Sequence, residues 1–295
     1  MANLKEVRTR IASVKSTQQI TSAMKMVAAS KLRRAQNAIL QMRPYAAKLK
    51  EILQNLSASL DSGDDNSIFS QQREPQKVLI VAVSSNRGLC GAFNANVVKM
   101  ANKTIQEKFQ TQYNAGNVKL MTIGRKVTEY FSKRNYDLVS HDDIFDHLNF
   151  ENVSVIAENL MTRFADKDID RIEIVYNQFK NAATQVLTVE QFLPVEPIKL
   201  EEGQVEMAKA DYIFEPNKEE IVTDLIPKSL KIQLYKAILD SNAAEHGARM
   251  TAMHQATDNA QELLKDLRLA YNKARQAAIT KEILEIVSGA EALKG

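Results

Sequence analysis

One feature limits this chain more than any other. From Leu4, a strict three-four alternation marks positions 4, 7, 11, 14, 18, 21, 25, 28, 32, 35, 39, 42, 46, 49, 53, 56 and 60. Leu4, Val7, Ile11 and Val14 open this seam; Leu32, Ala35, Ile39, Met42, Ala46, Leu49, Leu53, Leu56 and Leu60 complete it. A 3.5-residue repeat keeps one narrow apolar stripe facing one partner helix, so its length argues for a left-handed coiled coil. Asn3, followed by Glu6, supplies a capping pair at the start. Pro44 lies inside and removes one backbone donor, which predicts a kink. The acidic cluster DSGDDNS at 61–67 ends the helix.

A coiled coil needs a second helix, and the C-terminal segment supplies it. Asn217 and Glu220 repeat the capping spacing after Pro216, and helix-compatible sequence continues to about Val287, with one interruption expected at Pro227. Its heptad positions hold Met250, Met253, Thr257, Ala260, Leu264, Leu267, Tyr271, Ala274 and Ala278. At about 1.5 Å per residue such a helix reaches roughly 100 Å, beyond any compact domain. The two helices most simply pair antiparallel, with the middle of the chain folded at one end. The low aromatic content of 6% and the absence of Trp fit helix seams filled by Ala, Leu, Ile and Met.

The first seam is polar at its middle, where it carries Gln18, Thr21 and Lys25, while Ile20, Met24 and Val27 are apolar but off it. Those three fall at i, i+4 and i+7, a second helical stripe. An apolar face that the coiled-coil partner leaves uncovered must be buried elsewhere, either within the fold or against another protein.

The middle of the chain alternates strand and helix. KVLIVAV (77–83) and VKLMTIG (118–124) read as buried strands; 94–110, 125–134 and 151–166 read as helices. IDRIEIVYNQF (169–179) and ATQVLTVEQFL (183–193) form a hairpin around Lys180–Ala182. The expected fold is therefore α/β: a small Rossmann-like, largely parallel sheet over 75–200, with coiled-coil segments at 1–60 and 211–290.

Little in this middle invites chemistry. The loop SSNRGLCGAFN (84–94) stands where a phosphate loop would, yet Gly88 and Gly91 do not make G-x-G-x-x-G, and no G-x-x-x-x-G-K-[ST] occurs. A structural strand-to-helix turn is the better reading, with Cys90 a small packed residue. HDDIFDH (141–147) holds metal-ligand residue types, His141, Asp142, Asp143, Asp146 and His147, without the spacing of a closed site. It reads as a polar surface loop. His246 and His254 lie on the long C-terminal helix, where a solvated or seam histidine is the default. No catalytic residues, cofactor site or metal site are expected.

Charge is unevenly spread. The net charge of +3 conceals a segment 1–60 with eleven Lys or Arg against two acids, a local +9 that expects an acidic partner. Nucleic acid fits poorly, because Tyr45 is the only aromatic there and the charges interleave with a seam. One cysteine excludes an intrachain disulfide and fits a reducing compartment. No apolar run approaches the roughly 20 residues of a membrane span, and MANLKEVRTR shows neither a secretory signal nor a transit peptide. These features predict a soluble chain, possible company for a membrane-bound partner included.

Three segments resemble one family. RTRIASVKSTQQITSAMKMVAASKLRRAQ (8–36) is similar to the N-terminal helix of the gamma subunits of F-type ATP synthases. ITKEILEIVSGAEAL (279–293) resembles that family's C-terminal signature through Ile279, Thr280, Glu282, Glu285, Gly289 and Ala290, and Arg87–Gly91 matches its Arg-Gly-Leu-Cys-Gly loop. The resemblance spans nearly the full chain. It implies a non-catalytic rotor that turns inside a hexamer of alpha and beta subunits and also meets an epsilon-type subunit and the membrane c-ring. It implies partner contacts at Met24 and Lys25, facing the acidic lever of a catalytic subunit, and at Arg275 and Gln276, touching a catalytic-subunit loop. Thr280, Glu282 and Glu285 belong to the signature, and the tip residues Ile279, Ile283 and Ile286 would turn in an apolar sleeve, with Ile20 and Val27 completing the earlier stripe. The implied location is the cytoplasmic face of a bacterial plasma membrane, peripherally bound, with an organellar inner membrane as the alternative. Two other readings stay open: a nucleotide-binding enzyme dimerised through the coiled coil, and a coiled-coil adaptor that needs no ATPase.

Overall fold

The computed structural model describes residues 4–59, 68–134, 136–195 and 218–292, with no side chains described at 43, 50, 51, 53–59 and 218–223. The caps expected at Asn3 and Asn217, the 61–67 turn, Leu60, and the side chains of Leu53 and Leu56 therefore lie outside the described residues. In chain order the elements are α1 (Leu4–Ser59), β1 (Val78–Val83), α2 (Phe93–Lys108), α3 (Gln110–Asn114), β2 (Val118–Ile123), α4 (Arg125–Phe131), β3 (Asp137–Ser140), a 3-10 turn (Asp142–Phe145), α5 (Phe150–Ala165), β4 (Arg171–Phe179), β5 (Gln185–Leu193) and α6 (Lys218–Ala292). The chain forms two compact units, one of Met1–Ala29 with Arg249–Gly295 and one of Ser30–Ala248.

The first unit is a helix pair. In its part of α1, Val7, Thr21 and Ala28 are buried, Leu4, Ile11, Val14, Gln18 and Lys25 are half-buried, and nearly every residue between them is exposed. In its part of α6, Met253, Ala260, Leu264 and Leu267 are buried, with Met250, Thr257, Tyr271, Ala274 and Ala278 half-buried. These are the heptad positions, so the 3.5-residue repeat does set the contact. The Thr257 hydroxyl donates to Thr21 Oγ1 at 2.9 Å and fixes the register. From that point the α6 seam runs forward to Ala278 while the α1 seam runs back to Leu4, as antiparallel pairing requires.

This polar layer costs little, because each hydroxyl also has a local acceptor: Thr21 donates to Gln18 O at 3.1 Å, and Met253 O, 2.7 Å from Thr257 Oγ1, can take the single Thr257 proton in place of Thr21. Replacing both by apolar groups of similar shape leaves no buried donor stranded. Thr21→Val with Thr257→Val is therefore expected to raise the thermal midpoint by about 2 °C, read by melting of the full chain. A fall of that size would show that the hydroxyl pair adds net stability.

The second unit is built on a five-stranded sheet of order β3-β2-β1-β4-β5. β1 pairs parallel with β2 and β4, β2 parallel with β3, and β4 antiparallel with β5. Both faces of β1 are covered, which is why VLIVAV is an unbroken apolar run instead of an alternating one. Leu79, Val81 and Val83 face α5 and the 226–238 stretch of α6, through Ile156, Leu160, Phe164, Leu230 and Leu234. Val78, Ile80 and Ala82 face α2 and α4, through Val97, Ala101, Ile105, Val127 and Phe131.

Helical boundaries differ from expectation in physically clear ways. The helix expected over 94–110 stops at Lys108 and a short α3 follows, with the Phe109 ring buried at the break. β3 is an addition: it is four residues long and mostly exposed, so it lacks an apolar signal. The interruption expected at Pro227 does not occur. α6 continues through Pro227, as α1 does through Pro44, each proline removing one donor from an otherwise intact ladder. Around Pro227, Ile226 and Leu230 are buried on the sheet, and that packing holds the turn in place.

Tyrosines in this unit bring an alkaline sensitivity. Burial first, then the neighbouring Glu190 that its hydroxyl meets at 2.9 Å, push the Tyr176 phenol far up. Burial and then a hydroxyl contact with Tyr113 push Tyr136 to about 12. A raised folded pKa means stability that is fully present below the unfolded value near 10 and is lost as pH climbs toward the folded one. Denaturant melts are thus expected to lose up to about 1.4 kcal/mol per pH unit above about pH 10 through the buried Tyr176, and less through the half-exposed Tyr136, whose phenolate water screens. Tyr176→Phe should flatten that slope.

Candidate functional site

The 84–94 loop is a closed structural turn. Ser85 N donates to Asn94 Oδ1 at 3.0 Å, Ser85 Oγ to Arg87 O at 2.7 Å, and the Asn94 amide to Cys90 Sγ at 3.2 Å. The first turn of α2 is thereby lined by its own side chains, and Cys90 packs buried against Phe93 and Ala244. In the HDDIFDH segment, Asp142 Oδ1 accepts from Thr128 at 2.7 Å and Asp142 O from the Asn86 amide at 2.7 Å, while Ile144 enters the core. These residues fasten the ends of β1 and β2. Among the described residues no group of three or more His, Cys, Asp or Glu is placed to hold a metal.

What the chain presents instead is uncovered apolar surface on the helix pair. On α1, Ile20, Met24 and Val27 are exposed, together with Met26, which the stripe did not include. Lys25 stands apart from them: it occupies a seam position and is half-buried. On α6, every residue from Ile279 to Ala292 is exposed. Ile279, Ile283 and Ile286 are accompanied by Leu284 and Val287, which the sequence reading did not single out although ILEIV spells them.

The seam explains why α1 cannot cover them. Continued past Ala278, it would pass through Lys281, Glu285 and Ser288. Lys281 and Glu285 instead form an exposed i, i+4 ion pair at 3.5 Å. Arg275, Ile279, Glu282 and Ile286 share one face at i, i+4, i+7 and i+11; Gln276, Thr280, Ile283 and Val287 share the next. Thr280 donates to Gln276 O at 2.9 Å, which satisfies its hydroxyl within the helix. The α1 stripe and this end of α6 are two patches, not one, because Arg275 lies eighteen residues beyond Thr257, about 27 Å along the helix.

Comparison with known proteins gives this surface its context. The sequence profile of the family described as ATP synthase matches residues 3–293. The chain is 61% identical to the ATP synthase gamma chain of Flavobacterium johnsoniae, with 100% of both chains aligned. It is 55% identical to that of Cytophaga hutchinsonii over 99% of each. Among solved structures, it is similar to a chain of the Tetrahymena thermophila mitochondrial ATP synthase central stalk and c-ring, at 25% identity and a TM-score of 0.59, covering 80% of this chain and 99% of that one. A chain from the Euglena gracilis mitochondrial ATP synthase assembly of OSCP, F1 and c-ring shares the fold, with a TM-score of 0.69 at 22% identity over 98% and 94% of the two chains. With a family match over nearly all its length and relatives this near, the chain belongs to the gamma-chain family of ATP synthases.

Proposed function

We propose that this chain is the central rotor of an F-type ATP synthase, a non-catalytic subunit that couples ion flow through a membrane c-ring to ATP synthesis or hydrolysis in an alpha–beta hexamer. The full-length likeness to bacterial gamma chains carries this reading. The segments 1–60 and 211–290 serve as the shaft and 75–200 as the α/β domain. Ile20, Met24, Lys25 and Val27 on α1, with Arg275, Gln276, Thr280, Glu282, Ile283, Glu285 and Ile286 on α6, meet the catalytic hexamer, and an epsilon subunit and the c-ring are the remaining partners.

The uncovered apolar helix end suits such a role. A non-directional apolar contact has no hydrogen bonds to break on each turn. Exposed charges near it guide a partner without locking it, since screened ion pairs contribute only about 0–1 kcal/mol each. No helix among the described residues is long and apolar enough to cross a membrane, so membrane attachment in this reading is peripheral and passes through the c-ring. The working location is the cytoplasmic face of the bacterial plasma membrane.

Stoichiometry separates a rotor from an adaptor. Gentle solubilisation of membranes from cells carrying the tagged chain should recover an ATP-hydrolysing complex with one copy of it per three catalytic subunits. A homodimer free of ATPase subunits would overturn the reading.

A further inference from the structure

A pocket opens on the α2–α4 side of the sheet unit. It has a volume of about 380 Å³ and is lined by Asn102, Ile105 and Gln106 of α2, Tyr113 of α3, Tyr130 of α4, and Arg134 and Tyr136 on the way into β3. That volume falls within the usual range for small-molecule sites. The walls are rings held in fixed mutual orientation: Tyr113 and Tyr136 have centroids 5.8 Å apart, and Tyr136 meets the buried Phe131 edge-on at 5.3 Å.

Charge here is one-sided. The guanidinium of Arg134 lies 3.5 Å from the centroid of the Tyr130 ring and donates to Tyr130 O at 2.7 Å, so stacking positions it without a carboxylate. The neighbouring acids are engaged with lysines: Glu129 with Lys126 at 2.6 Å, Glu107 with Lys103 at 3.8 Å and Asp137 with Lys119 at 3.7 Å. No acidic residue lines the pocket among the described residues. Arg134 keeps further N–H donors in a planar fork suited to a carboxylate.

We propose that this pocket binds a small aromatic carboxylate, its ring against Tyr113 and Tyr136 and its carboxylate on Arg134, which Tyr130 holds in place. A cation is disfavoured, because Arg134 already occupies the face of Tyr130. A ligand there would tie the C-terminal end of α2 to the connection between α4 and β3. The proposal stands on this pocket alone and is independent of the rotor reading.

The test is calorimetric titration of the full chain with 4-hydroxybenzoate, with phenyltrimethylammonium and inorganic phosphate as separate probes. Saturable binding of 4-hydroxybenzoate at one site is expected, weakened about tenfold by Arg134→Gln through loss of a charge-assisted bond. Arg134→Lys should restore part of it and Tyr113→Ala should weaken it. Arg134 and Tyr113 are exposed, so melting curves will confirm that these variants fold. Absence of saturable binding, binding unchanged in Arg134→Gln, or a preference for phenyltrimethylammonium would each overturn the proposal. Phosphate binding as tightly as the aromatic acid would also do so, since the rings would then contribute nothing.

Discussion

Gly124→Ala is expected to destabilise the sheet unit by about 3–5 kcal/mol, enough to lose most folded protein at growth temperature. Gly124 follows β2 with φ at +105°, a conformation L side chains rarely adopt. A Cβ built there meets Ser84 O at 2.3 Å and Ser84 C at 2.7 Å, both backbone atoms. Neither strand end has room to retreat. Ser84 N donates to Ile123 O at 2.7 Å, Ser84 Oγ donates to Gly124 O at 3.0 Å, and Val127 N donates to Ser84 Oγ at 3.1 Å. The crossing is thus both a close backbone approach and a hydrogen-bonded junction between β1, β2 and α4. Ser84→Ala removes only the hydroxyl's bonds and should cost about 1–3 kcal/mol. The comparison is decisive in chemical denaturation: if Gly124→Ala cost no more than Ser84→Ala, the close approach would not constrain the fold.

Periodicity made the helix pair legible almost residue by residue, because its contact surface is one-dimensional and repeats every seven residues. Every buried position from Leu4 to Ala28 and from Met250 to Ala278 is a seam position. The sheet unit was legible where strands are apolar on both faces, as at VLIVAV, and illegible where an edge strand faces solvent, as at Asp137–Ser140. The 226–247 stretch of α6 also departs from a seam. Leu230, Leu234 and Ile238 lie on the sheet, Ile232 and Leu239 are buried as well, and Gly247 places its Cα where a Cβ would stand 3.1 Å from Ala182 O. Burial on several sides erases the helical period, so a heptad reading cannot find it. The pocket around Arg134 left no trace, since its residues converge from three helices and a loop with no common spacing.

Arg275→Leu combined with Glu282→Lys is expected to cut coupled ATP synthesis about tenfold or more in assembled complexes while leaving the free chain's fold intact. Both side chains are exposed on the first unit's α6 surface, and no hydrogen bond or ion pair joins either to another described residue. Such substitutions ordinarily change stability by no more than about 0.5 kcal/mol. The two lie seven residues apart, on one face with Ile279 between them and Ile286 beyond, so a partner that buries the isoleucines must also meet the charges. A charged group desolvated in that way is worth about 1.5–3 kcal/mol when hydrogen-bonded, which is tenfold or more per contact. Inverting Glu282 additionally sets a like charge against whatever donor had faced it. Synthesis in energised membrane vesicles and melting of the free chain should therefore separate: the first falls and the second does not. If synthesis were untouched, the contacts proposed at Arg275 and Glu282 would be wrong, whereas the rotor reading would still be decided by stoichiometry. If the free chain melted earlier as well, those side chains would be holding the helix pair together, a role that their exposure and the end of the seam at Ala278 argue against.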